Sequence, residues 1–181
     1  MRVLGGQFQR KELRGPKGNV TRPLTALMRK SIFDRLGGRV VGAEVLDLFA
    51  GSGSFGLEAL SRGALQATFV DVSEEALSAL RDNISQLGVE VSQAEVRRGD
   101  AVETARRMKK VGKRYSIVFV DPPFDWVCPD EFLSEIFGVT SEEGLLIIRR
   151  HFKFKWPETP PEGKMTRETR YGDSMVRWYL T

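Results

Sequence analysis

The chain has 181 residues, of which 41% are hydrophobic and 29% are charged, values typical of a globular protein with one main core. Its single cysteine excludes an internal disulfide bond and a cysteine-cluster zinc site. Its single histidine argues against a His-rich metal site or a Ser-His-Asp triad, so we expect no metal. No apolar run is long enough to span a membrane and the first residues do not resemble a signal peptide, so we expect a cytoplasmic protein, and a monomer.

The net charge of +4 is distributed unevenly along the chain. Residues 1–40 carry ten Lys or Arg against two Asp or Glu, whereas residues 41–148 carry ten against eighteen. Residues 149–181 are basic again, with eight against four. Basic ends around an acidic body fit a bound polyanion such as nucleic acid, but they equally fit arms that are simply solvated. The predicted phosphate contacts are Arg10, Lys11, Arg14, Lys17 and Arg22.

The first forty residues differ in pattern from the rest. Val3–Leu13 is strand-like but interrupted by two glycines, and apolar residues at helical spacing then predict a helix that begins near Pro23. We predict a basic extension, residues 1–40, with a hairpin-like segment and a helix, docked on a main domain of residues 41–181. The predicted buried face of the helix carries Leu24, Leu27, Met28, Ile32 and Leu36, with Arg29 off that face.

Residues 44–148 alternate between short apolar runs and helix-like segments. Such alternation implies a parallel sheet covered on both faces by helices. The end of the chain differs, because two strand-like runs flank Gly172-Asp173 and predict an antiparallel hairpin that closes the sheet. The fold class is therefore α/β, a three-layer sandwich. Strands are predicted at 44–49, 67–71, within 91–98, and at 116–121, 144–148, 164–171 and 174–180, and helices at 57–62, 73–88, 100–110 and 132–137.

A glycine motif follows the first predicted strand. Residues 51–56 match the dinucleotide fingerprint G-x-G-x-x-G, and Asp71 stands where a ribose-binding carboxylate is expected. However, Asp47 at the end of the strand would repel a pyrophosphate, whereas it would attract the sulfonium and ammonium groups of S-adenosylmethionine. Asp71 could then bind ribose hydroxyls and Asp100 the adenine amino group, although both could instead cap helices. The predicted cofactor-binding residues are Asp47, Phe49, Ala50, Gly51, Ser52, Gly53, Asp71, Val72, Asp100 and Ala101.

A second motif, Asp121-Pro-Pro-Phe124, follows an almost wholly apolar strand. An exocyclic amine of a nucleobase is a poor nucleophile, because its lone pair is delocalised into the ring. The Asp121 carboxylate and the Pro122 carbonyl, held in place by Pro123, could accept both N–H bonds, while Phe124 stacks on the base. A base within a helix cannot reach such a pocket, so the target must be unpaired or flipped. The predicted catalytic residues are Asp121, Pro122, Pro123 and Phe124.

Together these motifs resemble the RsmD-type ribosomal RNA guanine-N2 methyltransferases. The resemblance rests on residues 47–63 and on Asp121-Pro-Pro-Phe124, and the N-terminal Arg2-Val-Leu-Gly-Gly-Gln7 is similar as well. It spans nearly the whole chain, although Asp-Pro-Pro-Phe alone also occurs in DNA adenine methyltransferases. Two departures are visible: Leu24, Ala26 and Leu27 stand where the family usually has threonines before an Asp-Arg or Asp-Lys pair, and Asp71 replaces a common glutamate.

The resemblance implies a class I methyltransferase fold that uses S-adenosylmethionine to modify one guanine of 16S rRNA, with the small ribosomal subunit or an assembly intermediate as partner. It also implies that residues 121–124 are the catalytic tetrad. Two alternatives stay open at this point. One is a DNA or RNA adenine-N6 methyltransferase with the same tetrad, and the other is a non-catalytic RNA-binding protein on the same fold.

Overall fold

A computed structural model of the protein describes residues 1–15, 23–129, 131–154 and 163–181, and of 23–25 only the backbone. Seven strands form a sheet: β1 (Glu44–Leu48), β2 (Gln66–Asp71), β3 (Ala94–Arg98), β4 (Tyr115–Val120), β5 (Thr140–His151), β6 (Lys164–Tyr171) and β7 (Ser174–Leu180). Their order is β3-β2-β1-β4-β5-β7-β6. The pairs from β3 to β5 are parallel, whereas β7 runs antiparallel to both of its neighbours. The predicted sheet and its antiparallel closing hairpin are confirmed.

Helices cover both faces of this sheet: α1 (Pro23–Leu36), α2 (Ser54–Ser61), α3 (Glu74–Leu87), α4 (Ala101–Lys110) and α5 (Phe132–Phe137). Successive side chains of a strand point to opposite faces, and β4 shows the result. Ile117 and Phe119 join the core under α1, α2 and α3, while Val118 and Val120 join the core under α4 and α5. The architecture is therefore the predicted three-layer sandwich.

The helix ends show why the sequence folds as it does. Ser73 caps α3, because its Oγ accepts the N–H of Ala76 at 3.2 Å, and Gly88 ends the helix with a φ of 70°.

Strand β5 is longer than predicted, since it pairs with β7 from Leu145 to His151. That pairing carries the strand three residues past the predicted end at Ile148, and it places the basic residues that follow at the edge of the sheet.

The N-terminal segment docks on the helices that cover the sheet, beside α2 and α3. Residues 1–13 form a short antiparallel loop, in which the N–H groups of Val3 and Arg10 bond to the carbonyls of Lys11 and Val3 at 3.0 Å. The loop is fastened to the end of α2, where Ser61 accepts the N–H of Gln7 at 2.8 Å through its carbonyl. The division of the chain at residue 40 stays a prediction.

Two expectations for α1 are wrong. Leu27, predicted on the buried face, is 58% exposed. Arg29, predicted off that face, is 1% exposed. The helix turns Arg29 inward because its guanidinium donates to the Arg2 carbonyl at 2.5 Å and lies 4.0 Å from the buried Glu58 carboxylate. The side chain of Leu24 and the proline-rich residues 157–161 lie outside the described part of the chain.

Candidate functional site

The two sequence motifs meet at the carboxyl edge of the sheet. Strands β1 and β4 are neighbours, with Leu48 paired to Val120, so the residues that follow each strand emerge side by side. The N–H of Asp121 contacts the carbonyl of Leu48 at 3.4 Å. Ligands of open α/β sheets bind at this edge, where neighbouring connections diverge. The structure therefore brings the glycine turn and the Asp-Pro-Pro-Phe turn together.

The three glycines of the motif serve different purposes. A side chain at Gly53 would collide with Leu80 of α3 at 2.3 Å, and one at Gly56 would collide with Phe69 of β2 at 2.2 Å, so both residues are small because α2 packs closely on that helix and that strand. A Cβ at Gly51 would meet no atom within 4 Å, and its φ of 55° favours glycine. Of the three, Gly51 is thus the one that faces open space, where a ligand can approach the backbone.

Asp47 places a buried carboxylate beside this turn. It is 1% exposed, and its Oδ2 accepts the N–H of Gly56 at 2.9 Å. Burial raises the pKa of Asp47 well above its ordinary value; that one hydrogen bond opposes the rise, and the nearby carboxylates of Asp121 and Asp71 add to it. A buried carboxylate of this kind is strongly stabilised when a cation comes close.

Asp71 and Asp100 are both bound by backbone groups. Asp71 accepts the N–H of Gly51 at 2.8 Å through Oδ2 and the N–H of Ser73 at 2.9 Å through Oδ1, so it ties β2 to the glycine turn. Asp100 is the N-cap of α4, where its Oδ1 accepts the N–H groups of Val102 and Glu103 at 2.8 and 3.0 Å. The helix-cap interpretation is therefore right for Asp100, while the cap of α3 is Ser73 rather than Asp71.

The other predicted cofactor residues lie around the same turns. Phe49 is half-buried with a φ of 60°, and its ring packs edge-on against Trp126 at 5.0 Å between ring centroids. Val72 is 60% exposed beside Asp71. The remaining ones, Ala50, Ser52 and Ala101, are buried.

The Asp-Pro-Pro-Phe segment forms a turn that presents its last residue. The N–H of Trp126 donates to the carbonyl of Pro123 at 3.1 Å, which closes the turn. Pro122 is buried, Pro123 is exposed, and the Phe124 ring is 37% exposed. Two prolines restrict the backbone here, so the Pro122 carbonyl and the Phe124 ring leave the sheet in defined directions.

Arg149, at the end of β5, is a site residue that the sequence reasoning missed. Its Nε donates to Oδ1 of Asp121, and its guanidinium carbon lies 4.9 Å from the centroid of the Phe124 ring. Burial raises the pKa of Asp121, and the Arg149 charge and hydrogen bond oppose that rise. The signal was available, since Arg149 directly follows an apolar strand, the same rule that identified Asp47 and Asp121.

The predicted phosphate contacts lie at different distances from the glycine turn, and two of them are outside the described residues. Arg10 and Lys11 are exposed on the N-terminal loop, which is fastened to the end of α2, about 12 Å along that eight-residue helix from the glycine turn. Arg14 is closer to the turn, because the Asn83 side chain bonds both to Arg14 and to the carbonyl of Ser52. Lys17 and Arg22 lie outside the described residues.

Among the described residues, His, Cys, Asp and Glu side chains form no group of three or more that could hold a metal ion. A search of the same residues finds no helix with the length and apolar character that a membrane span requires.

Comparisons with known proteins identify the family of this chain. The model of the family described as Conserved hypothetical protein 95 matches residues 1–180. Ribosomal RNA small subunit methyltransferase D of Escherichia coli is 32% identical over 99% of this chain and 89% of that protein. The Bacillus subtilis protein YlbH, provisionally named as an rRNA methyltransferase, is 33% identical over 99% of this chain and 98% of that protein.

Solved structures extend the likeness to three dimensions. The structure of the Escherichia coli protein yhhF, provisionally named as a methyltransferase, has a TM-score of 0.85 at 31% identity, and covers 99% of this chain and 97% of that one. A Streptococcus mutans structure provisionally named as a SAM-dependent methyltransferase has a TM-score of 0.75 over 96% of this chain and 52% of that one. At 14% identity, this second likeness shows the fold alone.

Proposed function

Because the chain belongs to the Conserved hypothetical protein 95 family, together with the ribosomal RNA small subunit methyltransferase D proteins, we propose that it methylates the N2 amine of a guanine in 16S rRNA. The methyl donor is S-adenosylmethionine. The enzyme acts in the cytoplasm as a monomer, on the small subunit or on an assembly intermediate. The observation that carries the proposal is the Asp-Pro-Pro-Phe turn at the end of β4, next to the buried Asp47 at the end of β1.

The residues at the glycine turn fit S-adenosylmethionine. When bound, this group supplies a methyl carbon activated by a positively charged sulfur. The Asp47 carboxylate, whose pKa is raised by burial and by the nearby carboxylates of Asp121 and Asp71, favours that cation over a pyrophosphate. Gly51 leaves open space for the ligand. A carboxylate can accept more than two hydrogen bonds, so Asp71 and Asp100 can bind the ribose and the adenine in addition to the backbone N–H groups that they already accept.

The Asp-Pro-Pro-Phe turn holds the amine that is methylated. Asp121 and the Pro122 carbonyl accept its two N–H bonds, which turns the nitrogen lone pair toward the methyl carbon. This nitrogen would take the methyl group of bound S-adenosylmethionine, which would leave as the neutral thioether, and Asp121 would take the proton that the nitrogen releases. Phe124 stacks on the base, which is flipped out of its helix or unpaired.

Arg149 occupies the position of the target base before the RNA binds. Its planar guanidinium bonds to Asp121 and lies over Phe124, the two groups that we assign to the base. The N1–C2–N2 edge of guanine has the same arrangement of N–H donors on a planar carbon, whereas the amine of adenine lies beside ring acceptors. A guanine can therefore replace the bonds that Arg149 gives up, which supports guanine as the substrate.

The test is methyl transfer from labelled S-adenosylmethionine to small-subunit rRNA and, separately, to DNA, followed by identification of the modified nucleoside. We expect N2-methylguanosine in the rRNA and no label in the DNA. Label in N6-methyladenine would support an adenine methyltransferase instead. RNA binding with no transfer to either nucleic acid would support the non-catalytic alternative.

A further inference from the structure

A second group of aromatic and basic side chains lies beside Phe124, at the end of β5 and the β6–β7 turn. We propose that it is a stacking surface for the unpaired RNA nucleotides that flank the target base. The inference rests on the proposed function, because it extends that site outward along the carboxyl edge. We call the group the aromatic–basic surface; it consists of His151, Phe152, Lys153, Phe154 and Arg170.

The rings of this surface form a continuous series that starts at Phe124. The His151 ring meets the edge of Phe124 at 5.1 Å and stacks on Phe152 at 5.0 Å, with an angle of 22° between the two planes. His151 also meets the edge of Phe154, at 5.9 Å. Phe154 is 45% exposed. The series therefore leads from the proposed base site to a ring that is open to solvent.

Two positively charged side chains of this surface lie over the Phe152 ring. The guanidinium carbon of Arg170 is 3.9 Å from the centroid of the Phe152 ring, and Nζ of Lys153 is 5.8 Å from it. Both side chains are exposed, so they can contact phosphates while the exposed Phe154 ring contacts a base. The carboxylate of Glu168 nearby is paired with Arg150 and Arg177 rather than with Lys153 or Arg170.

Hydrogen bonds hold the surface in place. The N–H of Phe152 donates to the carbonyl of Asp173 in the β6–β7 turn at 2.9 Å, and the N–H of Phe154 donates to the carbonyl of His151 at 3.2 Å. The guanidinium of Arg150 donates to the carbonyl of Phe154. Because the backbone beneath the rings is already ordered, a ligand would lose little affinity to the ordering of this segment.

These features favour single-stranded RNA over a duplex or a purely structural role. Rings that serve only packing are buried, whereas Phe124 and Phe154 both expose more than a third of their area. Unpaired bases offer flat faces that stack on such rings, and each stacked base contributes on the order of 1–3 kcal/mol. The bases of a duplex are already stacked on each other, so they leave no face for Phe154.

Binding of a labelled single-stranded oligoribonucleotide of about twelve nucleotides, measured by fluorescence anisotropy, tests the proposal. We expect Phe154→Ala to weaken binding about tenfold, and Phe154→Trp to retain it because the ring is kept. We expect Arg170→Gln and Lys153→Gln each to weaken binding and to reduce the salt dependence by about one phosphate contact. The matched controls are Met165→Ala, also 45% exposed, and Arg167→Gln, on the other face of β6.

The proposal is overturned if Phe154→Ala binds the single strand as the unchanged protein does, or if the duplex of the same sequence binds equally well. The proposed function has a separate readout, namely methyl transfer by the unchanged protein to small-subunit rRNA. If the unchanged protein transfers methyl groups and Phe154→Ala has the same KM for RNA, the stacking surface is rejected and the proposed function stands. If Phe154→Ala weakens RNA binding but the unchanged protein transfers no methyl group, the proposed function is rejected and the stacking surface stands.

Discussion

The two halves of the sheet's carboxyl edge differ in charge and in the kind of ligand that they suit. Carboxylates lie at or just past the ends of the first three strands: Asp47 one residue before the end of β1, Asp71 at the end of β2, and Asp100 two residues after β3. The last three residues of β5 are instead Arg149, Arg150 and His151. Asp121 directly follows β4, where its carboxylate forms an ion pair with Arg149 and its charge adds to the raised pKa of Asp47. In the proposed function, the acidic half binds the cationic methyl donor and the basic half binds RNA, so the two reactants would meet at the boundary.

The largest effect is expected at that boundary. Asp121→Asn removes the carboxylate that accepts the amine proton, so we expect methyl transfer to fall by at least about a thousandfold. Binding of S-adenosylmethionine and of RNA, measured separately, should change little. Asp125→Asn, an exposed aspartate four residues later, is the matched control and should retain full activity. Nearly full activity in Asp121→Asn would contradict the assignment of the proton acceptor.

A change in the acidic half should affect the methyl donor alone. Asp47→Asn removes the buried negative charge, so we expect S-adenosylmethionine to bind about 10–100-fold more weakly by calorimetry, while RNA binding is unchanged. In the unchanged protein, the donor should bind more tightly as pH rises, because ionised Asp47 attracts the cation. A donor affinity that is equal in the two proteins would remove Asp47 from the site.

The same substitution has a consequence for stability, with a definite sign. The folded-state pKa of Asp47 is raised, so the folded protein retains a proton that the unfolded chain has already lost. The free energy of unfolding should therefore fall as pH rises between the unfolded and folded pKa values, and stay lower above them. Urea denaturation of Asp47→Asn should show a weaker fall over that range. An equal fall in both proteins would assign it to other groups.

A change in the basic half should affect RNA use and its pH dependence. Arg149→Gln removes the charge that opposes the raised pKa of Asp121, so the acid limb of the pH profile of kcat/KM should move to higher pH. Above that limb, kcat/KM for RNA should rise severalfold, because the base no longer has to displace the ion pair, worth about 1 kcal/mol at this exposure. Arg81→Gln, which breaks an exposed ion pair with Glu74 on α3, is the control. A lower kcat/KM at every pH would make Arg149 a binding residue instead of an occupant of the base site.

The smallest effect is expected at the N-terminal loop. Arg10→Gln combined with Lys11→Gln should reduce RNA affinity less than Arg170→Gln does, because the loop is fastened to the end of α2 that is remote from the glycine turn. Filter binding at several salt concentrations checks this, since each lost phosphate contact lowers the slope by about 0.7 for a single strand. A larger loss at Arg10 and Lys11 would place the main RNA contact on the N-terminal extension.

Much of the fold could be predicted because it depends on local patterns. Short apolar runs followed by glycine or aspartate identified the parallel strands, and Gly172-Asp173 identified the hairpin. The family and the methyltransferase fold were likewise predicted and are confirmed by the comparisons. The roles of the individual site residues stay predictions.

What could not be predicted depends on contacts between distant segments. Arg29 is buried because Arg2 and Glu58 are brought to it by the docking of the N-terminal loop, which no helical pattern reveals. The position of Arg149 after an apolar strand is visible in the sequence, but its contact with Asp121, 28 residues away in the chain, depends on the pairing of β5 with β4.

The proposed function requires that the turn at the end of β4 presents a guanine amine to S-adenosylmethionine bound beside Asp47. The most direct test is nucleoside mass spectrometry of 16S rRNA from cells that lack this protein and are supplied with either the unchanged protein or Asp121→Asn. We predict that one N2-methylguanosine appears only with the unchanged protein. Restoration of that nucleoside by Asp121→Asn, or an unchanged content of N2-methylguanosine in all three strains, would contradict the account.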